Sequence, residues 1–138
     1  MKTNAAVWTV VVVSVASVAA AYPQRRDAAG VLDGRLLFMA NCASCHGASA
    51  TGDGPAAPAL RARPADLTKM ASRNGNLFPS AKAHRIIDGR DVGAHGNPDM
   101  PVWGTAFKMQ PGGASDEDVK ARIAAIVRYL ESIQERSS

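Results

Sequence analysis

The sequence is poor in the features that would assign it quickly to a large functional class. It holds only two cysteines, so a multi-disulfide scaffold is excluded. The glycine-rich stretch at 47–55 is followed by no Gly-Lys-Ser/Thr and preceded by no predicted strand, which removes the phosphate-cradle reading and leaves a loop. No carboxylate pair, nucleophile triad or second metal-ligand spacing stands out, and internal repeats and low-complexity tails are absent. Charge is mild: a net +4, with Lys and Arg scattered through 61–108, suits a weak dock onto an acidic protein patch better than a nucleic-acid groove. Aromatic residues make up only 5% of the 138 positions, so the side chains alone would build a modest core.

Long apolar runs are also missing, with one exception. Lys2 followed by the apolar stretch Ala5–Ala21 and the small residues Ala19-Ala20-Ala21 reads as a secretory leader, cleaved before Tyr22 or retained as a membrane anchor. Either outcome places the rest of the chain outside the cytoplasm, periplasmic and free or tethered through residues 5–21. Setting 1–21 aside leaves about 117 residues, enough for one domain. Within them, 22–32 reads as a flexible lead-in and 33–138 as the folded unit.

The chemistry concentrates in Cys42-Ala43-Ser44-Cys45-His46. Cysteines three apart share a helix face, where each thiol can add across one vinyl group of a porphyrin. His46, next in line, can turn its imidazole onto the iron, and C-x-x-C-H is the haem-attachment spacing. A large flat cofactor would also supply the apolar bulk that the scarce aromatics do not. Three other readings compete: a thioredoxin-like dithiol, a structural zinc site drawing on His46, His84 or His95, and a plain disulfide. The first lacks its preceding strand, the second lacks a second paired spacing, and the third would close too short a loop to stabilise much.

Around this motif the pattern is helical. Asp33 is placed to cap a helix over about 33–43, with Leu32, Leu36, Leu37, Met39 and Ala40 as its stripe, and Gly34 suits close approach of another backbone. Asp66 caps a short helix over Leu67 and Met70, Asn74-Gly75-Asn76 is a turn, and Ser80 opens a helix that stops at Asp88-Gly89. Gly89–Met109 is rich in breakers and reads as an extended loop, with Pro101 barring helix at Met100. A methionine on a stiff loop is explained as a thioether offered to the far face of an iron, with Met109, His84 and His95 as other candidates. Ser115 and Asp118 form a capping box ahead of Val119, Ile123, Ile126, Val127, Leu130 and Ile133, a stripe running to about Gln134. That stripe must bury against a partner, the Gly34–Phe38 helix, with Tyr129 at the crossing.

Taken together, these residues resemble a class I monohaem c-type cytochrome of the bacterial periplasmic type, over the whole chain after the leader. The resemblance rests on Gly34 and Phe38, the Cys42–Gly47 attachment site, Pro58-Ala-Leu60, Met100-Pro101 with Trp103, and a last helix carrying Tyr129-Leu130. It implies an all-α cytochrome c fold: N- and C-terminal helices cross, and short helices and loops wrap one haem c held by two thioethers. It also implies that the Pro58 carbonyl accepts the free N–H of His46 and that Leu60 and Trp103 belong to the haem pocket. Ala57 departs from the glycine that many relatives carry before Pro-x-Leu.

The function so implied is one-electron transfer, not catalysis, with His46 and Met100 as axial ligands and a membrane oxidase or dehydrogenase complex as redox partner. Arg61, Arg63, Lys69, Arg73, Lys82 and Lys108 would form the docking rim of a monomer that binds no nucleic acid. Two alternatives stand beside it. One is a haem enzyme or sensor with an open distal position, served by His95 or Arg90. The other is a fixed cytochrome subunit of a respiratory complex.

Overall fold

The computed structural model describes residues 22–91, 98–110 and 114–135, of which 22–29 and 32 through the backbone alone. The apolar run at 5–21 and His95 lie outside the described residues. Among the described residues five α-helices follow one another: α1 (Tyr22–Asn41), α2 (Ala43–His46), α3 (Ser80–Asp88), α4 (Trp103–Lys108) and α5 (Asp116–Ser132). Three short 3-10 turns stand between α2 and α3, at Ala57–Ala59, Leu67–Lys69 and Ser72–Asn74. No strand occurs among the described residues, in line with the all-α expectation.

The architecture is set by α1 crossing α5. A Cβ added to Gly34 would lie 2.0 Å from the Ala125 carbonyl oxygen, so only a residue without a side chain allows the two backbones to come this close. One turn on, Phe38 is fully buried and its ring sits 5.3 Å from that of Tyr129. The face of α5 that meets α1 and the rest of the core carries Val119, Ile123, Ile126 and Leu130, all buried. Ser115 opens α5 with the expected capping box: Asp118 N–H donates to Ser115 Oγ at 3.1 Å, and Ser115 N–H donates to Asp118 Oδ2 at 3.0 Å. Such a cap is worth about 1 kcal/mol. The helix ends at Ser132 rather than near Gln134: Gln134 N–H contacts Glu131 O in a tighter last turn, and Glu135 N–H leaves the helix to donate to Thr68 O.

Three expectations are corrected. The chain is already helical from Tyr22, the first described residue, and not only from about 33, so the segment 22–32 expected as a flexible lead-in is helical and Asp33 lies inside the helix. The apolar stripe of α1 is also rotated from the expected one: Phe38 and Gly34 face inward, while Leu36 and Met39 are exposed at 66% and 39%. Finally, the stretch 89–109 is not loop throughout. Beyond Pro101 the chain folds into α4, whose Phe107 is fully buried in the core.

Helix α4 is tied to its neighbours by charge, through Lys108 at its end. Arg90 pairs with Asp88 and Asp116 at 2.7 Å each, and Lys108 reaches Asp116 at 2.9 Å. The cluster joins the end of α3, α4 and the first turn of α5. Gly104 lies beneath it: a Cβ there would meet Asp88 Oδ1 at 2.3 Å. Arg90 first, with Lys108, holds the Asp116 carboxyl down at about 2, and Arg90 likewise lowers that of Asp88. A carboxyl whose folded pKa is depressed adds stability above its unfolded value, 3.8, and loses it as pH falls through the folded value. The thermal midpoint of the helical circular dichroism is therefore expected to hold down to about pH 5 and to drop between about pH 4 and pH 2. In Arg90→Met the drop should be smaller; a drop as large as the parent's would rule out this cluster as its source.

Candidate haem site

Cys42, Cys45 and His46 occupy a single turn. His46 N–H donates to Cys42 O at 2.9 Å and Gly47 N–H to Ala43 O at 2.9 Å, which makes α2 one closed helical turn with the histidine last. Gly47 then leaves at φ +81°, a left-handed conformation that favours glycine, and a Cβ there would lie 1.9 Å from Asp53 Oδ1. The Gly-rich loop folds back on the motif. Gly52 N–H donates to His46 O at 2.8 Å, and Ala56 N–H to Ser44 O at 2.9 Å. The stretch is a loop, as expected, and Gly52 and Gly54 let it bring backbone against backbone around α2.

Both cysteines are free thiols. Burial, and after it the neighbouring Cys45, pushes the Cys42 thiol up to about 12. A redox-active dithiol needs the opposite, a depressed thiol pKa, so the chemistry of this pair does not favour the thioredoxin-like reading. Nor is a zinc site assembled: among the described residues no three His, Cys, Asp or Glu side chains gather to hold a metal ion. His84 instead lines a charged cleft between α3 and α5 with Arg85, Asp88, Glu117 and Lys120.

The His46 ring is oriented by a carbonyl, though not the expected one. Its Nδ1 lies 3.2 Å from Ala65 O. A carbonyl oxygen only accepts, so this contact puts the ring proton on Nδ1 and leaves Nε2 as the ligating nitrogen. Burial lowers the His46 pKa and the bond to Ala65 partly offsets it, which favours the neutral imidazole that coordination requires. Pro58, assigned this role from the resemblance, is exposed on the turn Ala57–Ala59; with Leu60 it lines an open depression beside Asp53 and Arg63. The sequence contains two proline phrases, Pro58-Ala-Leu60 and Pro64-Ala-Asp-Leu67, and the second provides the acceptor. Its placement depends on contacts distant in sequence: a Cβ on Gly52 would meet Pro64 O at 2.2 Å, and Leu67 N–H donates to Ala50 O at 2.8 Å. Ala65, Ala50 and Gly52 were missed as site residues, and only the cap signal of Asp66 hinted that this segment is fixed.

Met100 and Trp103 are half-buried and pack on the core, the Trp103 ring 5.4 Å from that of Phe107. The residue before Met100, Asp99, accepts the Arg61 N–H at 2.9 Å, tying the methionine loop to the Pro58 segment. Met109 is 79% exposed. Leu67, Met70 and Phe78 are likewise only half-buried against the core. Two free thiols and a histidine with a free Nε2 on one turn, together with such incompletely covered apolar side chains, fit a covalently attached haem.

No curated protein and no solved structure gave a match. The family model for cytochrome c does, over residues 31–134. That span runs from the Gly34 crossing through the Cys-Cys-His turn to the end of α5 and leaves out only the two ends of the chain. The chain therefore belongs to the cytochrome c family, as a haem-binding electron-transfer protein whose Cys42 and Cys45 fit the covalent attachment of a c-type haem.

Proposed function

We propose that this protein is a one-electron carrier with His46 and Met100 as axial ligands, working outside the cytoplasm between respiratory partners. The observation that carries this reading is the Nδ1 contact of His46 with Ala65 O, which leaves Nε2 for the iron. Bound haem supplies an iron that exchanges one electron, and a thioether opposite the histidine favours the ferrous state. The protein's own share is to hold those two side chains still. Met100 suits the second position because Pro101 stiffens its loop and the Asp99–Arg61 bond anchors it. Were His46 and Met100 both to hold the iron, no position would be left for a substrate, which sets the carrier apart from an enzyme.

Of the two acid–base helpers named for the enzyme or sensor alternative, Arg90 is already engaged by Asp88 and Asp116, and His95 lies outside the described residues. Among the docking cations, Lys69 pairs with Asp66 and Glu135, and Lys108 with Asp116, which reduces what these two present to an acidic partner. A redox complex in the membrane is the proposed partner. Among the described residues no helix is long and apolar enough to cross a membrane, so any tether would use residues 5–21, and the leader reading places the domain in an exported compartment.

Met100→Ala is the test. The variant is expected to lose the sulfur-to-iron band of the oxidised protein, to bind carbon monoxide when reduced, and to show a lower reduction potential. A variant with the parent's spectrum and potential would exclude Met100 as ligand.

A further inference from the structure

Past the end of α5, Gln134 bonds through its whole amide. Nε2 donates to Leu67 O at 2.8 Å and to Leu130 O at 2.7 Å, and Oε1 accepts the Ala71 N–H at 2.8 Å. One residue on, Glu135 N–H donates to Thr68 O at 2.9 Å. The 67–71 segment is thus pinned from the C-terminal side at three backbone groups. From the other side Leu67 N–H is held by Ala50 O. Between these anchors and His46 there is only Asp66, itself fixed because its Oδ1 accepts both the N–H and the hydroxyl of Thr68, at 3.0 and 2.6 Å. The carbonyl presented to His46 Nδ1 belongs to the residue just before it, Ala65.

We propose that Gln134 is a positioning residue for the haem: it fixes the segment that aims the Ala65 carbonyl at His46, and through that bond sets how strongly the histidine donates to the iron. The inference rests on the reading of His46 as axial ligand. A hydrogen bond from Nδ1 increases the basicity of a ligating imidazole. A more basic imidazole favours ferric over ferrous iron, so a loosened acceptor should raise the reduction potential. A clip that merely secures the C-terminus would alter melting and leave the iron alone.

The experiment is Gln134→Met in the holoprotein, a change that keeps length and volume while removing all three amide bonds. Two quantities are read: the equilibrium reduction potential, and the exchange of the His46 Nδ1 proton with solvent by NMR. The potential is expected to become more positive and the proton to exchange about tenfold faster, as fits the loss of one or two net hydrogen bonds. A lowered melting temperature with both quantities at the parent's values would overturn the proposal. Should Gln134→Met fail to fold, Thr68→Val removes only the hydroxyl bonds to Asp66 and Glu135. It should move both quantities the same way by less, and parent values there would equally overturn the proposal. A parent protein without covalent haem, or without a His46 Nδ1 proton signal, would instead refute the axial-histidine reading, and this is seen before any variant is made.

Discussion

Gly34→Ala is expected to lower the thermal midpoint by roughly 10 °C, although alanine is the better helix former by about 1 kcal/mol. The new Cβ would lie 2.0 Å from the Ala125 carbonyl oxygen and 2.6 Å from its carbon. Both atoms are backbone in the middle of α5 and have no rotamer to escape into. Helices α1 and α5 must move apart, and overpacking of this kind costs about 1–3 kcal/mol. The separation also loosens the Phe38–Tyr129 contact, which adds to the loss. Gly30, one turn earlier, is the internal control, because a Cβ there would meet only the Arg128 guanidinium, 2.9 Å away at the end of a flexible side chain. Gly30→Ala should be neutral or slightly stabilising. Equal midpoints for the two variants would mean that the crossing is not as close as described.

Replacing Cys42 and Cys45 together by serine is expected to abolish haem retention through denaturing electrophoresis, when the protein is exported from a host with haem-maturation machinery. Serine keeps the shape of the turn but cannot form a thioether. Each single variant leaves one thiol to attach through. The double variant should also lose thermal stability and fixed tertiary structure, since Leu67, Met70, Phe78, Met100 and Trp103 are only half-covered by protein, and a bound haem would cover apolar surface of this kind. Ser44→Ala, on the same turn, should retain the full haem stain. Haem stain surviving in the double serine variant would refute attachment through this motif.

What could be read from the sequence was what local chemistry determines. Two cysteines and a histidine at fixed spacing need no tertiary context, and α5 carries both a capping box and an uninterrupted helical stripe. Gly34 was legible because a glycine inside a helix must have a packing reason. The start of α1 was not, because a polar stretch with Pro23 looks like a loop until its helix is seen continuing into the crossing. Helix α4 was hidden by the breakers ahead of it. The acceptor of His46 failed for a different reason. Two proline phrases were available, and the choice between them is made by Gly52 against Pro64 O and by Gln134 against Leu67, contacts that no local pattern reveals.

The Gln134–Leu67 bond joins positions 67 residues apart. Closing so long a span has a large entropic cost, and bonds of this kind form only after something else has brought the ends together. Here that is the docking of α5 on α1, which in synthesis must wait until residues 116–132 have been made. The Cys-Cys-His turn can close as soon as residues 42–47 exist, since the bonds that close it, His46 N–H to Cys42 O and Gly47 N–H to Ala43 O, are local. Order of assembly and order along the chain therefore diverge at His46: its backbone is in place early, and its ring acquires a fixed direction among the last events of folding.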